Sequence, residues 1–117
     1  MSTTQSVLDH HLQCFGTGDL DGIVADYAPD AALLTMDGAI KGTAAIREFF
    51  ANAFTIFSKP GTTSSVKLAL VEGECAFIVW EAETPDIKVE AASDTFLIRD
   101  GRILVQTYAA KITPQTS

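Results

Sequence analysis

Residues 87–112, which read IKVEAASDTFLIRDGRILVQTYAAKI, contain the strongest indication of the fold. The two halves of this stretch, 87–99 and 103–112, are rich in β-branched and aromatic residues, which are enriched in strands. The dipeptide Asp100-Gly101 between them is typical of a hairpin turn. The stretch therefore predicts two long antiparallel strands joined by a tight loop.

The length of that loop decides which residues of the hairpin face each other. A two-residue loop places Thr107 opposite Asp94. A three-residue loop at 99–101 places Gln106 opposite Asp94 instead. It puts Gln106 and Tyr108 on the same face as Asp94, the face expected to line a pocket. Because successive strand residues point to opposite faces, the two registers send different side chains to the interior.

Two further strands precede the hairpin. Residues 75–83 form an apolar segment that ends at Pro85-Asp86, and apolar residues alternate with polar or small ones over 66–70, before Glu72-Gly73. Four strands in succession, each joined to the next by a short turn, predict an antiparallel meander.

The first half of the chain has helical periodicity instead. Residues 6–15 carry one apolar stripe, and Gly16 and Gly18 end that helix. Asp19 is a suitable N-cap for a short second helix that Pro29 ends. The apolar face of the second helix is predicted to consist of Leu20, Ile23, Val24, Tyr27 and Ala28.

A short strand at 31–36, followed by a turn at Asp37-Gly38, separates the second helix from the third. The third helix is predicted to be capped by Thr43 and to end before Pro60-Gly61. It carries the clearest helical stripe in the sequence, made of Ile46, Phe49, Phe50, Ala53, Phe54 and Phe57.

Helices that precede a strand meander indicate an α+β fold, with three helices packed on one face of an antiparallel sheet. A chain of 117 residues without repeat or linker is expected to form one domain over 1–117, with a frayed polar tail at 113–117. A curved sheet with the helices across its concave side leaves a pocket, which is a common place for small ligands.

Charge and motifs exclude several classes of partner. The chain has 8 basic and 15 acidic residues, a net charge of −7, which disfavours nucleic acid and anionic membrane surfaces. It has no leader-like segment and no apolar run long enough to span a bilayer. Cys14 and Cys75 lie among apolar neighbours, so buried free thiols and a reducing cytoplasmic location are expected. Without HExxH, paired CxxC, GxSxG or a phosphate-binding glycine loop, neither a metal nor a nucleotide cofactor is expected.

Several segments resemble bacterial ketosteroid isomerase. They are GDLDGIVA at 18–25, Asp30-Ala31, GTAAIREFFAN at 42–52, ASDTF at 92–96 and DGRI at 100–103. The chain is thereby similar to the SnoaL-like proteins of the nuclear transport factor 2-like superfamily, over nearly its whole length. The resemblance implies a cone-shaped α+β fold, a deep pocket for a small apolar molecule, and a homodimer formed by the outer face of the sheet.

In ketosteroid isomerase a carboxylate base moves a proton next to a carbonyl, and a tyrosine and a protonated aspartate form the oxyanion hole. The resemblance places the protonated aspartate at Asp94, the tyrosine at His11 and the base at Thr35. A threonine cannot act as a carboxylate base, so simple ketosteroid isomerisation is not expected.

Asp94 and His11 are the first candidates for chemistry. Asp94 shares its strand face with Ala92 and Phe96, where desolvation would raise the pKa of the carboxyl group and suit it to donate a hydrogen bond or shuttle a proton. His11 lies on the apolar stripe of the first helix, where a neutral imidazole could donate to an oxyanion or take a proton. The structural alternatives are an Asp94 that faces solvent or pairs with a nearby helix end, and a buried, hydrogen-bonded His11.

Asp37 and Glu81 are the candidates to replace the missing base. Asp37 lies two residues after Thr35 and shares its face if the strand continues, although Asp37-Gly38 is also an ordinary turn dipeptide. The position of Glu81 depends on which face of strand 75–83 lines the pocket.

The two faces of strand 75–83 compete for the interior. The resemblance directs Phe77, Val79 and Glu81 into the pocket, whereas the apolar pattern alone favours the face that carries Trp80. We follow the resemblance, since a dimer interface also accounts for an apolar outer face. The resemblance likewise favours the three-residue hairpin loop. The predicted substrate contacts are Thr35, Gln106, Tyr108 and Phe96.

Three functions are compatible with these residues. The first is a cofactor-free isomerase, cyclase or dehydratase that acts on a small apolar carbonyl or polycyclic compound, with catalytic residues Asp94, His11, Glu81 and Asp37. The second is a non-catalytic binding protein that kept the pocket and lost the base. The third is a dimerisation module. The first function requires Asp94 and His11 to line one cavity.

Overall fold

The computed structural model describes residues 3–115, which fold into three helices and a curved six-stranded sheet. In chain order the elements are α1 Thr4–Thr17, α2 Leu20–Val24, β1 Tyr27–Thr35, β2 Gly38–Lys41, α3 Thr43–Phe57, β3 Thr63–Glu72, β4 Cys75–Glu83, β5 Ile87–Arg99 and β6 Arg102–Pro114. The predicted α+β class is confirmed. Within residues 3–115, no helix has the length and hydropathy needed to cross a membrane.

The strands lie in the order β2-β1-β6-β5-β4-β3. The meander β3 to β6 is antiparallel, as predicted, and β2 pairs antiparallel with β1. The pairing of β1 with β6 is parallel, so the prediction of a wholly antiparallel sheet is wrong at this one junction. A parallel pair needs a long crossover connection, and the whole of α3 and β3 to β5 separates these two strands along the chain.

Local capping explains the first two helices. The side chain of Thr3 accepts a hydrogen bond from the Ser6 backbone in a capping box at the start of α1. Gly18 ends α1 in the left-handed conformation, with φ 71°, where a glycine avoids the steric cost of a Cβ. The side chain of Asp19 accepts from the Gly22 N–H and begins α2, as the sequence predicts.

The second helix is shorter than predicted. It ends at Val24, and Tyr27 and Ala28 are the first residues of β1 rather than part of the helix face. Pro29 therefore lies inside a strand, in the segment between Tyr27 and Ala32 where the β1–β6 register is irregular. A proline is tolerated at such an irregularity because no ladder hydrogen bond is needed from its nitrogen.

Three boundaries also differ from the prediction. Strand β2 was not foreseen, and it pairs with β1 from Thr35↔Gly38 onward. The N-cap of α3 is Gly42, with φ 85°, while Thr43 is the first helical residue. The pairing of β6 continues to Pro114, so the tail is not frayed at Thr113 and Pro114, and residues 116–117 lie outside the described residues.

The β5–β6 hairpin has a two-residue loop, not the favoured three-residue one. Asp100 and Gly101 have φ values of 52° and 76°, the positive pair expected of a type I′ turn, and Arg99 pairs with Arg102. One residue later in the ladder the pairing changes from Ile98↔Ile103 to Leu97↔Val105, which leaves Leu104 as an extra residue.

This bulge sets the register of the β5–β6 residue pairs beyond it. Asp94 pairs with Tyr108, and Phe96 pairs with Gln106. Neither predicted partner of Asp94 is observed, yet Gln106 and Tyr108 do share the face of Asp94. The bulge shifts the two-residue-loop register by one residue, and a shift of one residue exchanges the faces of a strand.

Strand β4 presents its apolar face to the helices. Ala76, Ile78 and Ala82 are buried, whereas Glu81 on the opposite face is exposed. The prediction that Phe77, Val79 and Glu81 line the pocket is therefore wrong, and the apolar pattern alone was the better guide. The core between sheet and helices is centred on large side chains that are almost completely buried: Leu8, Ile23, Tyr27, Leu33, Ile46, Phe96 and Ile103.

Candidate functional site

A pocket of about 260 Å³ lies between α1, α3 and the inner face of the sheet, and it is partly open to solvent. Helix α3 contributes one side because its aromatic stripe recurs every three or four residues and so lies on one face. Strands β4 and β6 contribute to the floor through alternate residues. The pocket-lining residues with hydrogen-bonding side chains considered below are His11 from α1, Trp80 from β4, Asp94 from β5, and Gln106 and Tyr108 from β6.

The walls of the pocket are mainly aromatic. Trp80 and Tyr108 are stacked, with ring centroids 6.3 Å apart and planes at 16°. Phe57 meets the edge of Trp80 at 5.9 Å, and Phe49 meets Tyr108 at 6.2 Å. Contacts of this kind hold the rings in defined positions, so the pocket presents flat apolar surfaces.

Asp94 is the only carboxylate among the pocket-lining residues of the described chain. It is 6% exposed, and each oxygen accepts one hydrogen bond: Oδ1 from Trp80 Nε1 at 2.8 Å and Oδ2 from Gln106 Nε2 at 2.8 Å. Desolvation by burial raises the pKa of Asp94 above its usual value, and the two hydrogen bonds oppose that rise. The group is thus a desolvated carboxylate with two fixed donors.

Gln106 is in turn hydrogen-bonded by Tyr27, which lies in the core. The Tyr27 hydroxyl donates to Gln106 Oε1, and Tyr27 and Gln106 are 1% and 2% exposed. A continuous chain of hydrogen bonds therefore leads from Tyr27 through Gln106 to Asp94. The helical pattern of the sequence predicts Tyr27 on the apolar face of α2, and no local pattern indicates this contact.

His11 is 4% exposed, and its Nδ1 atom has no hydrogen-bond partner among residues 3–115. Its ring packs edge-on against Phe96 at 5.0 Å, Phe50 at 5.8 Å and Tyr27 at 6.1 Å. Desolvation by burial, helped by the neighbouring charge of His10, lowers the pKa of His11 to about 3. The imidazole is consequently neutral at physiological pH, and its Nδ1 atom makes no hydrogen bond within the described chain.

The structure brings some predicted site residues together and separates others. Asp94, His11, Gln106 and Tyr108 line the same pocket. Phe96 lies behind the His11 ring and is buried in the core rather than lining the pocket. The condition that Asp94 and His11 share one cavity is met.

Thr35, Asp37 and Glu81 lie outside the pocket. The Thr35 hydroxyl accepts from the Asp37 N–H at 3.1 Å and donates to the Gly38 carbonyl at 3.0 Å, so both belong to the β1–β2 turn. Glu81 forms an exposed ion pair with Lys67, N to O 3.3 Å. Neither Asp37 nor Glu81 occupies a position from which it could serve as the base of this pocket.

The pocket also contains polar residues that sequence reasoning did not single out. Asn52 from α3 and Ser64 and Ser65 from β3 line it. Among residues 3–115, no lysine or arginine lines it. In the described part of the chain, no three His, Cys, Asp or Glu side chains are grouped in a way that could hold a metal ion.

Comparison with known proteins agrees with this architecture. The family profile described as "SnoaL-like domain" matches residues 8–106. The epoxide hydrolase/cyclase-like enzyme SalBIII, whose structure concerns pyran ring formation in the polyether salinomycin, is 20% identical; the match covers 96% of this chain and 95% of SalBIII, with a TM-score of 0.80.

Two further solved structures have the same shape. A candidate ketosteroid isomerase from Kribbella flavida DSM 17836 is 15% identical, with a TM-score of 0.77 and coverage of 97% of this chain and 82% of that one. A candidate polyketide cyclase from Sinorhizobium meliloti is 20% identical, with a TM-score of 0.74 and coverage of 91% and 98%. At these identities the likeness establishes the fold and leaves the chemistry to the side chains described above.

Proposed function

Because the chain belongs to the SnoaL-like domain family, we propose that it is an enzyme of the isomerase, cyclase or dehydratase type that moves a proton on a small, apolar, uncharged carbonyl compound. The single observation that carries the proposal is the buried Asp94 carboxylate, which lines an aromatic pocket and is held by two donors. Proton transfer by positioned side chains needs no bound cofactor.

Asp94 is the proton acceptor in this proposal, and it returns the proton in the second half of the reaction. Both of its oxygens accept hydrogen bonds in the resting site, which favours the ionised form, and each retains a further lone pair. Burial raises the pKa of Asp94 and so makes the carboxylate a stronger base. This role differs from that of the protonated aspartate that the family resemblance implies.

His11 and Tyr108 are the proposed donors to the substrate oxygen. His11 is neutral because its pKa is lowered to about 3, so it can present one N–H without carrying charge. Burial and the nearby Asp94 raise the pKa of Tyr108, so its phenol stays protonated and can donate. Neutral donors aimed at a developing oxyanion stabilise it in a site with little water.

The lining of the pocket supports an uncharged substrate. Asp94 repels an anion, and no lysine or arginine lines the pocket to attract one. The stacked Trp80 and Tyr108 rings suit a flat ligand body. A volume of about 260 Å³ is slightly below the usual range of small-molecule pockets, which suits a compact ring system.

The structurally similar proteins support ring-forming or proton-moving chemistry only through their shared fold. SalBIII is described as cyclase-like, and the Sinorhizobium meliloti structure as a candidate polyketide cyclase. The side chains of this chain's own pocket carry the proposal.

A paired ligand screen tests the substrate class. Neutral one-ring and two-ring ketones are compared with carboxylic acids of the same skeleton, by thermal shift and native mass spectrometry. We expect the ketones to bind and the acids to bind at least ten-fold more weakly. Preferential binding of the acids contradicts the proposal.

Hydrogen exchange tests the chemistry even before the true substrate is known. A bound ketone should incorporate deuterium from D₂O next to its carbonyl in the presence of the wild-type protein and not of Asp94→Asn. Equal incorporation with both proteins shows that Asp94 does not abstract the proton.

A non-catalytic binding protein is the second candidate, and one observation favours it. The family resemblance places the base at Thr35, which lies outside the pocket, and neither Asp37 nor Glu81 replaces it. Ketones that bind without exchange of hydrogen in D₂O would favour this second function.

We also propose that the outer face of the sheet forms a homodimer. Leu68 and Leu70 of β3 are opposite Val79 and Phe77 of β4 on that face and are 42% and 55% exposed. Apolar side chains in such a row are usually covered in an assembly. Light scattering should give twice the chain mass, and Leu68→Glu should give the monomer; a monomeric wild-type protein contradicts this proposal.

The two unpaired cysteines fit a reducing compartment, and we propose the cytoplasm. Cys14 is buried as predicted, whereas the prediction of a buried Cys75 is wrong because this residue is exposed. Both thiols are free. Localisation of a tagged chain by fractionation tests this point.

A further inference from the structure

We propose that Tyr27 is a positioning residue, which acts through Gln106 to hold Asp94 ready as a proton acceptor. The inference rests on the role proposed for Asp94 above, and it adds a residue that does not line the pocket. It is carried by the geometry of one buried hydrogen-bond chain, Tyr27 to Gln106 to Asp94.

The direction of this chain follows from what each group can donate. The Tyr27 hydroxyl gives its single hydrogen to Gln106 Oε1. With the amide oxygen so engaged, the amide NH₂ group points to Asp94 and donates to Oδ2 at 2.8 Å. Oδ2 of Asp94 therefore faces an N–H donor. The ionised carboxylate can accept this hydrogen bond, so the contact favours the ionised form.

The reversed chain is unfavourable. If the Gln106 amide turned over, its oxygen would face Asp94, and a favourable contact would require a protonated carboxyl group. The amide nitrogen would then donate to the Tyr27 oxygen, and the buried Tyr27 hydrogen would lose its acceptor. An unpaired buried donor is costly, so Tyr27 biases the amide, and through it Asp94, toward the ionised form.

The other groups around Asp94 do not supply this bias. His11 faces the pocket from α1 and is neutral, and Tyr108 faces it from β6 as a protonated phenol. Strand β4 contributes the non-ionisable Trp80, and the α3 residues that line the pocket carry no ionisable group. Asp26, next to Tyr27 at the start of β1, pairs with His10 at 2.8 Å.

Trp80 supplies a direct reporter of Asp94. It is the only tryptophan of the chain, and its indole N–H donates to Asp94 Oδ1. The chain therefore shows one indole N–H resonance, and the shift of that resonance follows the protonation of Asp94. The measurement needs neither substrate nor turnover, so the proposed function and the role of Tyr27 can fail separately.

The test is a pH titration of the indole resonance in the full chain. Asp94→Asn should remove the transition, which identifies it as that of Asp94. Tyr27→Phe should raise its midpoint by about one pH unit, because Gln106 is then free to present its oxygen to a protonated Asp94. Gln106→Met should raise it at least as far, since it removes the donor itself.

A double-variant cycle separates positioning from simple packing. If Tyr27 acts only through Gln106, then adding Tyr27→Phe to Gln106→Met produces no further rise. An equal rise in both backgrounds overturns the proposal, because Tyr27 then acts on Asp94 without Gln106. An unchanged midpoint in folded Tyr27→Phe also overturns it.

A second measurement on the wild-type chain covers the case in which Tyr27→Phe does not fold. The side-chain amide protons of Gln106 should shift with the same pH midpoint as the Trp80 indole, since both groups donate to one carboxylate. If the Gln106 amide signals do not respond at that midpoint, the inferred chain is wrong.

Discussion

Trp80 Nε1 donates a hydrogen bond of 2.8 Å to Asp94 Oδ1, and this contact joins the aromatic wall of the pocket to its one carboxylate. The two residues lie on neighbouring strands, where Trp80 pairs with Ala92 and Asp94 pairs with Ile78. They are thus diagonal neighbours on the inner face, a relationship that long side chains can bridge. An indole N–H can only donate, so this contact favours an ionised Asp94.

Removing that donor should make Asp94 harder to ionise. We expect Trp80→Phe to raise the pKa of Asp94 by about one unit and to reduce stability by about 1–3 kcal/mol, through the lost hydrogen bond and the smaller ring. Carbon NMR of labelled aspartate measures the first effect, and denaturant unfolding measures the second.

Phe57→Leu is the matched control, because it disturbs the aromatic contact of Trp80 at 5.9 Å and leaves the indole donor in place. It should lower stability without moving the pKa of Asp94. An equal change of pKa in both variants would mean that packing, and not the hydrogen bond, sets the acidity.

Asp94→Asn should remove most of the catalytic activity and leave binding largely intact. General acid–base catalysis contributes about 100-fold to 10,000-fold, so a loss in kcat of at least about 100-fold is expected on any substrate found. The Kd of that substrate, from calorimetry, should change by less than about ten-fold, since the aromatic walls remain. A variant with wild-type kcat removes Asp94 from the mechanism.

His11 should make the stability of the protein depend on pH. Its pKa is about 3 in the folded chain and 6.5 unperturbed, so between these values the unfolded chain binds a proton that the folded chain does not. Stability contributed by neutral His11 is therefore complete above pH 6.5 and is lost as the pH falls toward 3. The slope approaches about 1.4 kcal/mol per pH unit within this window.

His11→Phe should remove that slope, and it should not weaken the fold at neutral pH. A phenyl ring suits a site already bounded by Phe50, Phe96 and Tyr27, and it removes the unpaired Nδ1. Urea unfolding at pH 7 and pH 5 gives the comparison. If the two proteins lose equal stability between these pH values, His11 does not titrate as described.

Gly22 should tolerate no side chain. A Cβ at Gly22 would lie 2.4 Å from Asp19 Oδ2 and 2.9 Å from Cys14 Sγ, so Gly22→Ala must displace the cap that begins α2. Loss of an N-cap costs about 0.5–2 kcal/mol, and the steric conflict adds to it. Thermal unfolding should show a clear decrease in Tm.

Gly16→Ala is the control for Gly22→Ala. Gly16 lies in α1, and a Cβ there has no atom within 4 Å. Alanine is favoured over glycine in helices by about 1 kcal/mol, so Gly16→Ala should raise the Tm. A decrease for both variants would point to a general intolerance of this segment rather than to the contact with Asp19.

Secondary structure followed from local pattern wherever the pattern was long and regular. Strand β4 has the predicted bounds Cys75–Glu83, and β5 has the predicted bounds Ile87–Arg99. The stripe of α3 places Phe49, Phe50 and Phe57 on one face, and that face lines the pocket. These features depend on neighbours in the chain, so a single sequence contains the information.

Local pattern did not predict the structure at irregular positions of the sheet. The sequence pattern predicts that Pro29 ends a helix. Pro29 instead lies within β1, where an irregular parallel pairing with β6 accommodates it. The extra residue Leu104 shifted the hairpin register, which neither predicted loop anticipated. A bulge depends on the partner strand, so no local periodicity reveals it.

The α+β class, one helical stripe, the strand meander, and the candidate residues Asp94 and His11 can all be read from the amino-acid sequence. The three-dimensional fold was needed to show that Asp94 and His11 line one pocket, that Glu81 and Asp37 do not, and that Tyr27 reaches Asp94 through Gln106. The reason is physical: helix and strand periodicity are short-range, whereas the face a strand turns inward changes with a shift of one residue that distant pairing controls.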